Sequence, residues 1–281
     1  MQYRISTGDF RNIVESINES LSNVEKGFSL YDVHKKALIN LLEVLRSEGK
    51  VRGILQMPTG VGKTLIAIGL IMTLYRIGRL KGKDIVLYLT PRIILKGQVE
   101  ERLNDFLENN PRFQSNAGLS YFRVERPQED IVETLRFFFE IWGENEDRAL
   151  ILVVTPRALH DYLKSIKRTG RKTKTLPSID RIRMIVMDEV HVEYFGKELS
   201  KTIIEDFLKN VSKDAVVIGL SATPTRQAIE KIGRLVYSLT SLRAMKEGIL
   251  IGKLKIYQRR TKTNLKDINK DPWKVAVIER A

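Results

Sequence analysis

Residues 57–64, with the sequence MPTGVGKT, constrain the fold of this chain more than any other stretch. A short apolar segment ends just before them, an apolar helical pattern follows, and Gly60 and Gly62 allow the backbone to turn sharply. A loop of this kind points its N–H groups at phosphate oxygens, and the dipole of the next helix adds positive potential there. The strict phosphate-loop pattern, Gly-x-x-x-x-Gly-Lys-Ser/Thr, has glycine at its first position, where this chain has Met57. A glycine-rich turn that binds no ligand is the alternative.

Each part of this loop has an expected contact with a nucleoside triphosphate. Lys63 would reach the β- and γ-phosphates, and the hydroxyl of Thr64 would bind Mg²⁺. The backbone N–H groups would hold the remaining phosphate oxygens. The predicted nucleotide-binding residues of the loop are therefore Pro58, Thr59, Gly60, Val61, Gly62, Lys63 and Thr64.

A second motif, at residues 183–191, is an apolar run followed by two adjacent carboxylates and, two positions later, a histidine. In a parallel sheet, carboxylates at the carboxyl end of a strand face the ligand crevice. Asp188 would hold Mg²⁺, directly or through water, and Glu189 would orient and deprotonate the water that attacks the γ-phosphate. His191 would link this site to the next strand. An ordinary acidic strand end is the simpler interpretation of the motif alone, but its position after a phosphate loop favours catalysis.

Three further strand ends carry polar residues. In residues 219–224, the hydroxyls of Ser221 and Thr223 could bond to the two carboxylates and sense the γ-phosphate. The other two strand ends share the sequence Thr-Pro-Arg and offer a hydroxyl, a guanidinium and helix N-terminal N–H groups to nucleic-acid phosphates. The predicted contact residues are Thr90, Pro91, Arg92, Thr155, Pro156 and Arg157. For either site alone, a plain helix start with proline at the first position is the simpler interpretation.

The chain is strongly basic. It has 48 Lys and Arg against 34 Asp and Glu, which gives a formal net charge of +14 and favours a polyanionic partner such as nucleic acid. A basic stretch follows the second Thr-Pro-Arg site, on the sheet edge where a nucleic-acid strand would run, and would contact phosphates. Its residues are Lys164, Lys167, Arg168, Arg171, Lys172 and Lys174. A solvated run of charge, on a generally basic surface, is the alternative.

Cysteine is absent, so disulfides and cysteine-bearing zinc sites are excluded. The N-terminus lacks an apolar signal core, and no stretch of 18 uncharged apolar residues occurs. We therefore expect a soluble, cytoplasmic protein without a membrane partner.

Helical and strand patterns alternate after about residue 50, which predicts an α/β fold with a mostly parallel sheet flanked by helices. Two helices, at 9–22 and 31–47, should precede the sheet, and the second should pack beside the nucleotide site. The predicted strands are 53–56, 84–90, 119–124, 149–155, 183–188 and 215–221. The predicted helices between them are 63–78, 93–109, 128–142, 157–167 and 198–209. A further strand is expected at 254–260.

Taken in order, these motifs resemble the first RecA-like domain of a superfamily 2 helicase or translocase, over about residues 30–255. MPTGVGKT resembles motif I, LTPR motif Ia, VVTPR the later nucleic-acid motif, MDEVH motif II of the DExH kind (here a DEVH box) and SAT motif III. The DEVH and SATP sequences and residues 242–250 are similar to the branch that contains restriction-enzyme motor subunits and the excision-repair helicase.

The resemblance implies a RecA-like P-loop NTPase fold, hydrolysis of ATP with Mg²⁺, and nucleic acid as partner, with DNA favoured by the branch. In the family, a glutamine upstream of the phosphate loop often reads adenine. Residues 31–37 resemble that segment, with His34 in the place of the glutamine. His34 is therefore an expected nucleotide-binding residue, although it could also be an ordinary polar residue on a helix, and adenine specificity stays open.

The resemblance also implies a partner, because family motors carry an arginine finger on a second RecA-like domain. We expect residues 1–50 to form N-terminal helices packed on the motor domain, 51–255 to form the ATP-binding domain, and 256–281 to begin a linker or second domain. An arginine finger is worth about 10³ to 10⁵ in turnover, so hydrolysis by this chain alone should be weak. The alternative function is an ATP-switched, nucleic-acid-binding half of a split motor, or a CRISPR-type helicase subunit, which does not unwind on its own.

Overall fold

The computed structural model of the chain describes residues 7–22, 29–91, 93–108, 122–125, 131, 133–135, 148–169, 181–190, 194 and 201–250. Two helices, α1 (Thr7–Ser22) and α2 (Asp32–Glu48), precede the sheet. The next elements along the chain are β1 (Arg52–Gln56), α3 (Lys63–Arg76), β2 (Ile85–Leu89), α4 (Ile93–Glu108), β3 (Phe122–Glu125), β4 (Ala149–Val154), α5 (Pro156–Thr169), β5 (Ile182–Asp188), α6 (Lys201–Asn210), β6 (Val216–Ser221), α7 (Arg226–Ile232), β7 (Leu235–Ser238) and α8 (Ser241–Lys246).

The strands form one sheet in the order β3-β4-β2-β5-β6-β1-β7, and every pairing within it is parallel. This arrangement confirms the predicted α/β fold. All residues of β2, β4 and β6 are buried, as expected for parallel strands that helices cover on both faces. The chain leaves β1, at one side of the sheet, and returns at β2, three strands away. A ligand crevice is expected above the carboxyl ends of the strands in this region.

Two apolar cores lie on opposite faces of the sheet. On one face, α1 to α4 and α8 share a core, in which Val14 and Leu38 are completely buried. On the other face, α5, α6 and α7 pack around residues such as Leu159 and Phe207. Side chains of each strand alternate between the two cores, so that Tyr88 faces the first and Leu87 the second.

The six predicted strands between residues 53 and 221 are all present, with ends that differ by a few residues. β7 was not predicted. It has four residues, two of them exposed, and pairs with β1 at the edge of the sheet. The predicted helix at 128–142 is seen in the helical residues 131 and 133–135, whereas the predicted strand at 254–260 lies outside the described residues.

Within the described part of the chain, no helix combines the length and the apolar character needed to cross a bilayer.

Candidate nucleotide site

The loop between β1 and α3 has the backbone of a phosphate cradle. Gly60 and Gly62 both have positive φ values, 85° and 86°, which glycine adopts without steric cost. No side chain of the described residues caps α3, which starts at Lys63. The N–H groups of its first turn therefore remain available to an anion. At the start of the loop, the N–H of Met57 donates to the carbonyl of Ser221 at 2.8 Å, which ties the loop to the end of β6.

Lys63 is held inside the protein next to the second motif. Its side chain is only 8% exposed, and Nζ lies 3.0 Å from Oε1 of Glu189. This contact is an ion pair without hydrogen-bond geometry, and among the described residues Nζ has no hydrogen-bond partner. A buried ammonium group with unused donors is costly unless an acceptor binds there. Lys63 thus fits the phosphate contact that its position in the loop predicts.

Asp188 is the last residue of β5 and is 7% exposed. Burial, and next the negative charge of Glu189, raises the pKa of this carboxyl to about 6, although the charge of Lys63 opposes the shift. Its Oδ1 accepts a hydrogen bond from the N–H of Glu189 at 3.0 Å. A bound cation would offset both causes of the raised pKa, so Asp188 and the half-buried Thr64 fit a Mg²⁺ site.

The described residues contain no cluster of three or more side chains of the metal-binding types His, Cys, Asp and Glu. Mg²⁺ usually takes one or two protein ligands and completes its shell with phosphate oxygens and water. A donor set of Thr64 and Asp188 therefore suits a cation that is carried with a nucleotide.

His34, near the start of α2, holds the phosphate loop in place through a hydrogen bond. Its Nδ1 accepts from the N–H of Tyr31 at 3.3 Å, so the ring proton is on Nε2, which donates to the carbonyl of Val61 at 2.5 Å. The ring also lies 3.3 Å from where a Cβ on Gly62 would be. Burial lowers the pKa of His34, so the ring is neutral. Because both ring nitrogens are engaged within the chain, an adenine contact through either of them would require one of these bonds to break.

The residues of the third motif meet the loop at the carboxyl end of β6. Ser221 is completely buried, and its Oγ accepts from the N–H of Thr223 at 3.1 Å. The N–H of Val190 donates to the carbonyl of Leu220 at 3.1 Å, which joins the ends of β5 and β6. His191, the predicted link between the two strands, lies outside the described residues.

Three site residues were not predicted from the sequence. Gln56 donates through Nε2 to the carbonyl of Ala222 at 3.4 Å and accepts through Oε1 from Ser238 at 3.1 Å. The hydroxyl of Tyr194 lies 2.8 Å from the carbonyl oxygens of both Leu89 and Asp188 and ties the ends of β2 and β5 together. The third is Tyr88, in the interior of β2, whose hydroxyl lies beside that of Thr64. Each of these side chains reaches the site through a tertiary contact that no local pattern in the sequence signals.

The two Thr-Pro-Arg sites differ from each other in their surroundings. Thr90 is completely buried, whereas the Thr155 hydroxyl accepts from the N–H of Ala158 at 3.1 Å and caps α5. Pro91 is half-buried and Pro156 is buried. The Arg157 side chain is 86% exposed and lies 3.9 Å from Asp161. Thr155 therefore caps the start of α5, as the simpler interpretation expects. Among the described residues of the two sites, Arg157 is the most accessible.

The basic stretch begins on α5, which starts at the carboxyl end of β4, and Lys164 is exposed there. The contact of this stretch with nucleic acid stays a prediction. Arg92, Arg171, Lys172 and Lys174 lie outside the described residues, as do the side chains of Lys167 and Arg168.

The parallel sheet, the cradle after β1 and the paired carboxylates at the end of β5 define a class: the first RecA-like, ATP-binding domain of superfamily 2 helicases and translocases. Residues 27–226 match the family described as "Type III restriction enzyme, res subunit". The chain belongs to this family.

Curated relatives agree with this assignment. The chain is 25% identical over 205 residues to the ATP-dependent helicase Lhr-Core protein 2 of Thermococcus barophilus, a match that covers 70% of this chain and 22% of the relative. It is 26% identical over 229 residues to the Type I restriction enzyme EcoKI endonuclease subunit of Escherichia coli, covering 78% and 17%. The chain thus spans about a fifth of the length of the curated relatives it matches.

Solved structures show the same fold. A nuclease-deletion mutant of the Type ISP restriction-modification enzyme LlaGI, in complex with a DNA substrate mimic, matches with a TM-score of 0.55 and 17% identity, over 80% of this chain and 21% of that one. The helicase MrfA bound to DNA matches with a TM-score of 0.52 and 19% identity, over 85% and 30%. The yeast DEAD-box splicing factor Prp28 matches with a TM-score of 0.53 and 19% identity, over 79% and 47%.

Proposed function

We propose that this chain is the ATP-binding and ATP-hydrolysing motor domain of a nucleic-acid helicase or translocase. The observation that carries the proposal is the buried ammonium of Lys63, which has no hydrogen-bond partner among the described residues. It lies at the open N-terminus of α3, next to a glutamate, in a loop whose glycines have the conformation of a phosphate cradle. Within the proposed division of the chain, residues 51–255 form this domain, residues 1–50 pack on it, and residues 256–281 begin a linker or second domain.

The side chains of the site have distinct roles in the proposed reaction. Lys63 and the loop N–H groups bind the β- and γ-phosphates, which frees Glu189 from its ion pair with Lys63. Thr64 and Asp188 hold Mg²⁺, which neutralises charge on the phosphate oxygens when it is bound. Glu189 then orients the attacking water and accepts its proton. His34 keeps the loop in place, and Ser221, Thr223 and His191 connect the site to the neighbouring strand.

DNA is the nucleic acid we favour. The net charge of +14 suits a polyanion, and relatives of this chain include a restriction-enzyme subunit. Among proteins of similar fold, LlaGI is seen with a DNA substrate mimic and MrfA with DNA. Action on DNA accords with a cytoplasmic location. In this proposal the nucleic-acid contacts come from the two Thr-Pro-Arg sites and from Arg171, Lys172 and Lys174.

A second RecA-like domain or subunit is part of the proposal, because the described residues of the cleft contribute no arginine finger beside Glu189. With it, turnover should rise by about 10³ to 10⁵. The second candidate is the split arrangement, in which this chain binds nucleic acid and switches with ATP but unwinds only with its partner, as half of a split motor or as a CRISPR-type helicase subunit. ATPase assays with DNA, with RNA and with neither, on the chain alone and with a partner, separate these possibilities.

Two substitutions test the nucleotide site directly. Lys63→Ala should weaken binding of Mg-ADP in calorimetry by about 10- to 100-fold, because hydrogen bonds to charged groups contribute about 1.5–3 kcal/mol. Lys36→Ala, at an exposed lysine of α2, is the matched control and should bind normally. Glu189→Gln should keep nucleotide affinity and lose hydrolysis by roughly 10²- to 10⁴-fold, because the amide cannot accept the proton.

Unchanged affinity in a folded Lys63→Ala protein would sink the assignment of the phosphate loop. Normal hydrolysis by Glu189→Gln would move the catalytic base to another residue.

A further inference from the structure

A tyrosine hydroxyl lies buried where the sequence predicts only packing. Tyr88 occupies the interior of β2, whose sequence IVLYL is otherwise aliphatic, and the residue is completely buried. Among the described residues its hydroxyl has no partner with hydrogen-bond geometry. A phenylalanine would fill the same space without the cost of burying an unpaired hydroxyl. The hydroxyl therefore calls for a specific explanation.

The position of the Tyr88 hydroxyl supplies an explanation. Tyr88 pairs with Val186 of β5 and faces the core on the side of α3, the helix that starts at the phosphate loop. Its hydroxyl lies beside the hydroxyl of Thr64, and the negative charges of Asp188 and Glu189 are close enough to act on it. Burial, followed by the charge of Asp188, raises the pKa of Tyr88, so the phenol keeps its proton. The group thus lies at the two residues that fit the Mg²⁺ site.

We propose that Tyr88 is a positioning residue of this Mg²⁺ site, whose hydroxyl fixes the side-chain rotamer of Thr64. The inference rests on the proposed function, because it assigns Thr64 to a cation that accompanies the nucleotide. Threonine in a helix divides between two rotamers, since its hydroxyl can also bond to a carbonyl three or four residues earlier. By accepting a hydrogen bond from the Thr64 hydroxyl, the phenol oxygen selects the rotamer that leaves the threonine lone pairs for the cation.

Tyr88→Phe tests this inference, because it removes one oxygen atom and keeps the ring. The measurements are the affinity for ADP with and without Mg²⁺, by titration calorimetry, and the thermal midpoint. In the variant, the gain in ADP affinity that Mg²⁺ produces should shrink by roughly 10-fold, as is usual when an outer-shell partner of a metal ligand is lost. ADP affinity without Mg²⁺ should not change, and the thermal midpoint should stay the same or rise.

Tyr237→Phe is the matched control. Tyr237 is also a buried tyrosine whose hydroxyl has no hydrogen-bond partner among the described residues, but it lies on β7, near Arg243 and Glu247. Its replacement should leave the Mg²⁺ effect at the wild-type value. In a Thr64→Ala background, Tyr88→Phe should have no further effect on the response to Mg²⁺, because the two residues act through one contact.

The outcomes separate this inference from the proposed function. A full Mg²⁺ effect in Tyr88→Phe would overturn the positioning role, and so would an equal loss of ADP affinity with and without Mg²⁺. A wild-type chain that binds no ADP, with or without Mg²⁺, would overturn the proposed function and this inference with it.

Discussion

At the scale of single residues, the site brings together groups that stabilise a ligand at the expense of the protein. Asp188 and Glu189 are adjacent carboxylates, one of them almost completely buried, and Glu189 has a φ of 51°, which is uncommon outside glycine. Backbone strain and raised carboxyl pKa values of this kind concentrate where a bound ligand offsets them. The pair therefore has a cost in stability that can be measured.

Asp188→Asn should stabilise the chain when Mg²⁺ and nucleotide are absent. The pKa of Asp188 is raised from 3.8 to about 6, so the folded state binds more protons than the unfolded state between about pH 4 and 6. Stability therefore falls as the pH rises through that window, and the full cost, about 3 kcal/mol, applies above it. Urea unfolding at pH 8 should show a gain of about 1–3 kcal/mol for Asp188→Asn.

The gain of Asp188→Asn should largely disappear below about pH 3, where the wild-type carboxyl is mostly protonated in both states. Asp214→Asn, at an exposed aspartate before β6, is the control and should change stability little at either pH. A variant that is less stable than the wild type at pH 8 would contradict the electrostatic account. Weaker binding of Mg-ADP by the stabilised variant would show that the charge is retained for the cation.

At the scale of secondary-structure elements, His34 ties α2 to the phosphate loop through one tautomer. Burial lowers its pKa, so below about pH 6.5 the unfolded chain binds the proton more readily than the folded chain. The stabilisation is complete above pH 6.5 and is lost as the pH falls toward the lowered pKa. Protonation also places a hydrogen on Nδ1, which then faces the N–H of Tyr31.

We therefore expect the free energy of unfolding and the ADP affinity of the wild type to fall together between pH 7.5 and pH 5.5. Each unit of separation between folded and unfolded pKa values contributes about 1.4 kcal/mol. His34→Gln, whose amide can still donate to Val61, should lose much less in acid. Equal acid sensitivity of the wild type and His34→Gln would assign the effect to other groups. His34→Ala removes the hydrogen bond to Val61 and should therefore lower ADP affinity at every pH.

The sequence predicted the central strands and the loop because their signals are local. Long apolar runs, a glycine-rich turn and paired carboxylates each lie within a few consecutive residues. β7 was not predicted because a four-residue edge strand with two exposed positions has no clear alternation of apolar and polar residues. One indirect signal was present: Gly53 lies inside β1, and a Cβ there would be 2.3 Å from Val236 of β7. A glycine within a strand often marks the close approach of another backbone.

The same distinction holds for the site. Lys63, Thr64, Asp188 and Glu189 were predicted from motifs, and the structure brings Lys63 and Glu189 into contact. Tyr88 lies in β2 and Tyr194 follows β5, and only the folded chain brings their hydroxyls next to Thr64 and the carbonyl of Asp188, respectively. In a single sequence a tyrosine within an aliphatic strand looks like any other core residue, so its role could be found only from the position of its hydroxyl.

At the scale of the whole molecule, the two edges of the sheet, at the carboxyl and amino ends of its strands, carry different groups. The phosphate loop, the carboxylates and the Thr-Pro-Arg sites follow the carboxyl ends of the strands, whereas Lys50, Arg79 and Lys81 lie before β1 and β2, at the amino edge. Uniform positive charge would attract nucleic acid to both edges alike. In the proposed motor, the nucleic acid instead lies at the carboxyl edge, near the nucleotide.

The salt dependence of DNA binding distinguishes these arrangements. Each lost phosphate contact lowers the slope of log affinity against log salt by about 0.7 for single strands and 0.9 for duplex. Arg157→Ala, at an exposed guanidinium of the carboxyl edge, should lower the slope by about one such contact. Joint replacement of Lys50, Arg79 and Lys81 by alanine removes three charges from the amino edge and should leave the slope nearly unchanged.

Joint replacement of Arg171, Lys172 and Lys174 is the third arm. A lower slope there would extend the DNA contact past the end of α5, whereas an unchanged slope would make that stretch a solvated run of charge. If only the amino-edge variant lowered the slope, the proposed placement of DNA beside the ATP site would be wrong.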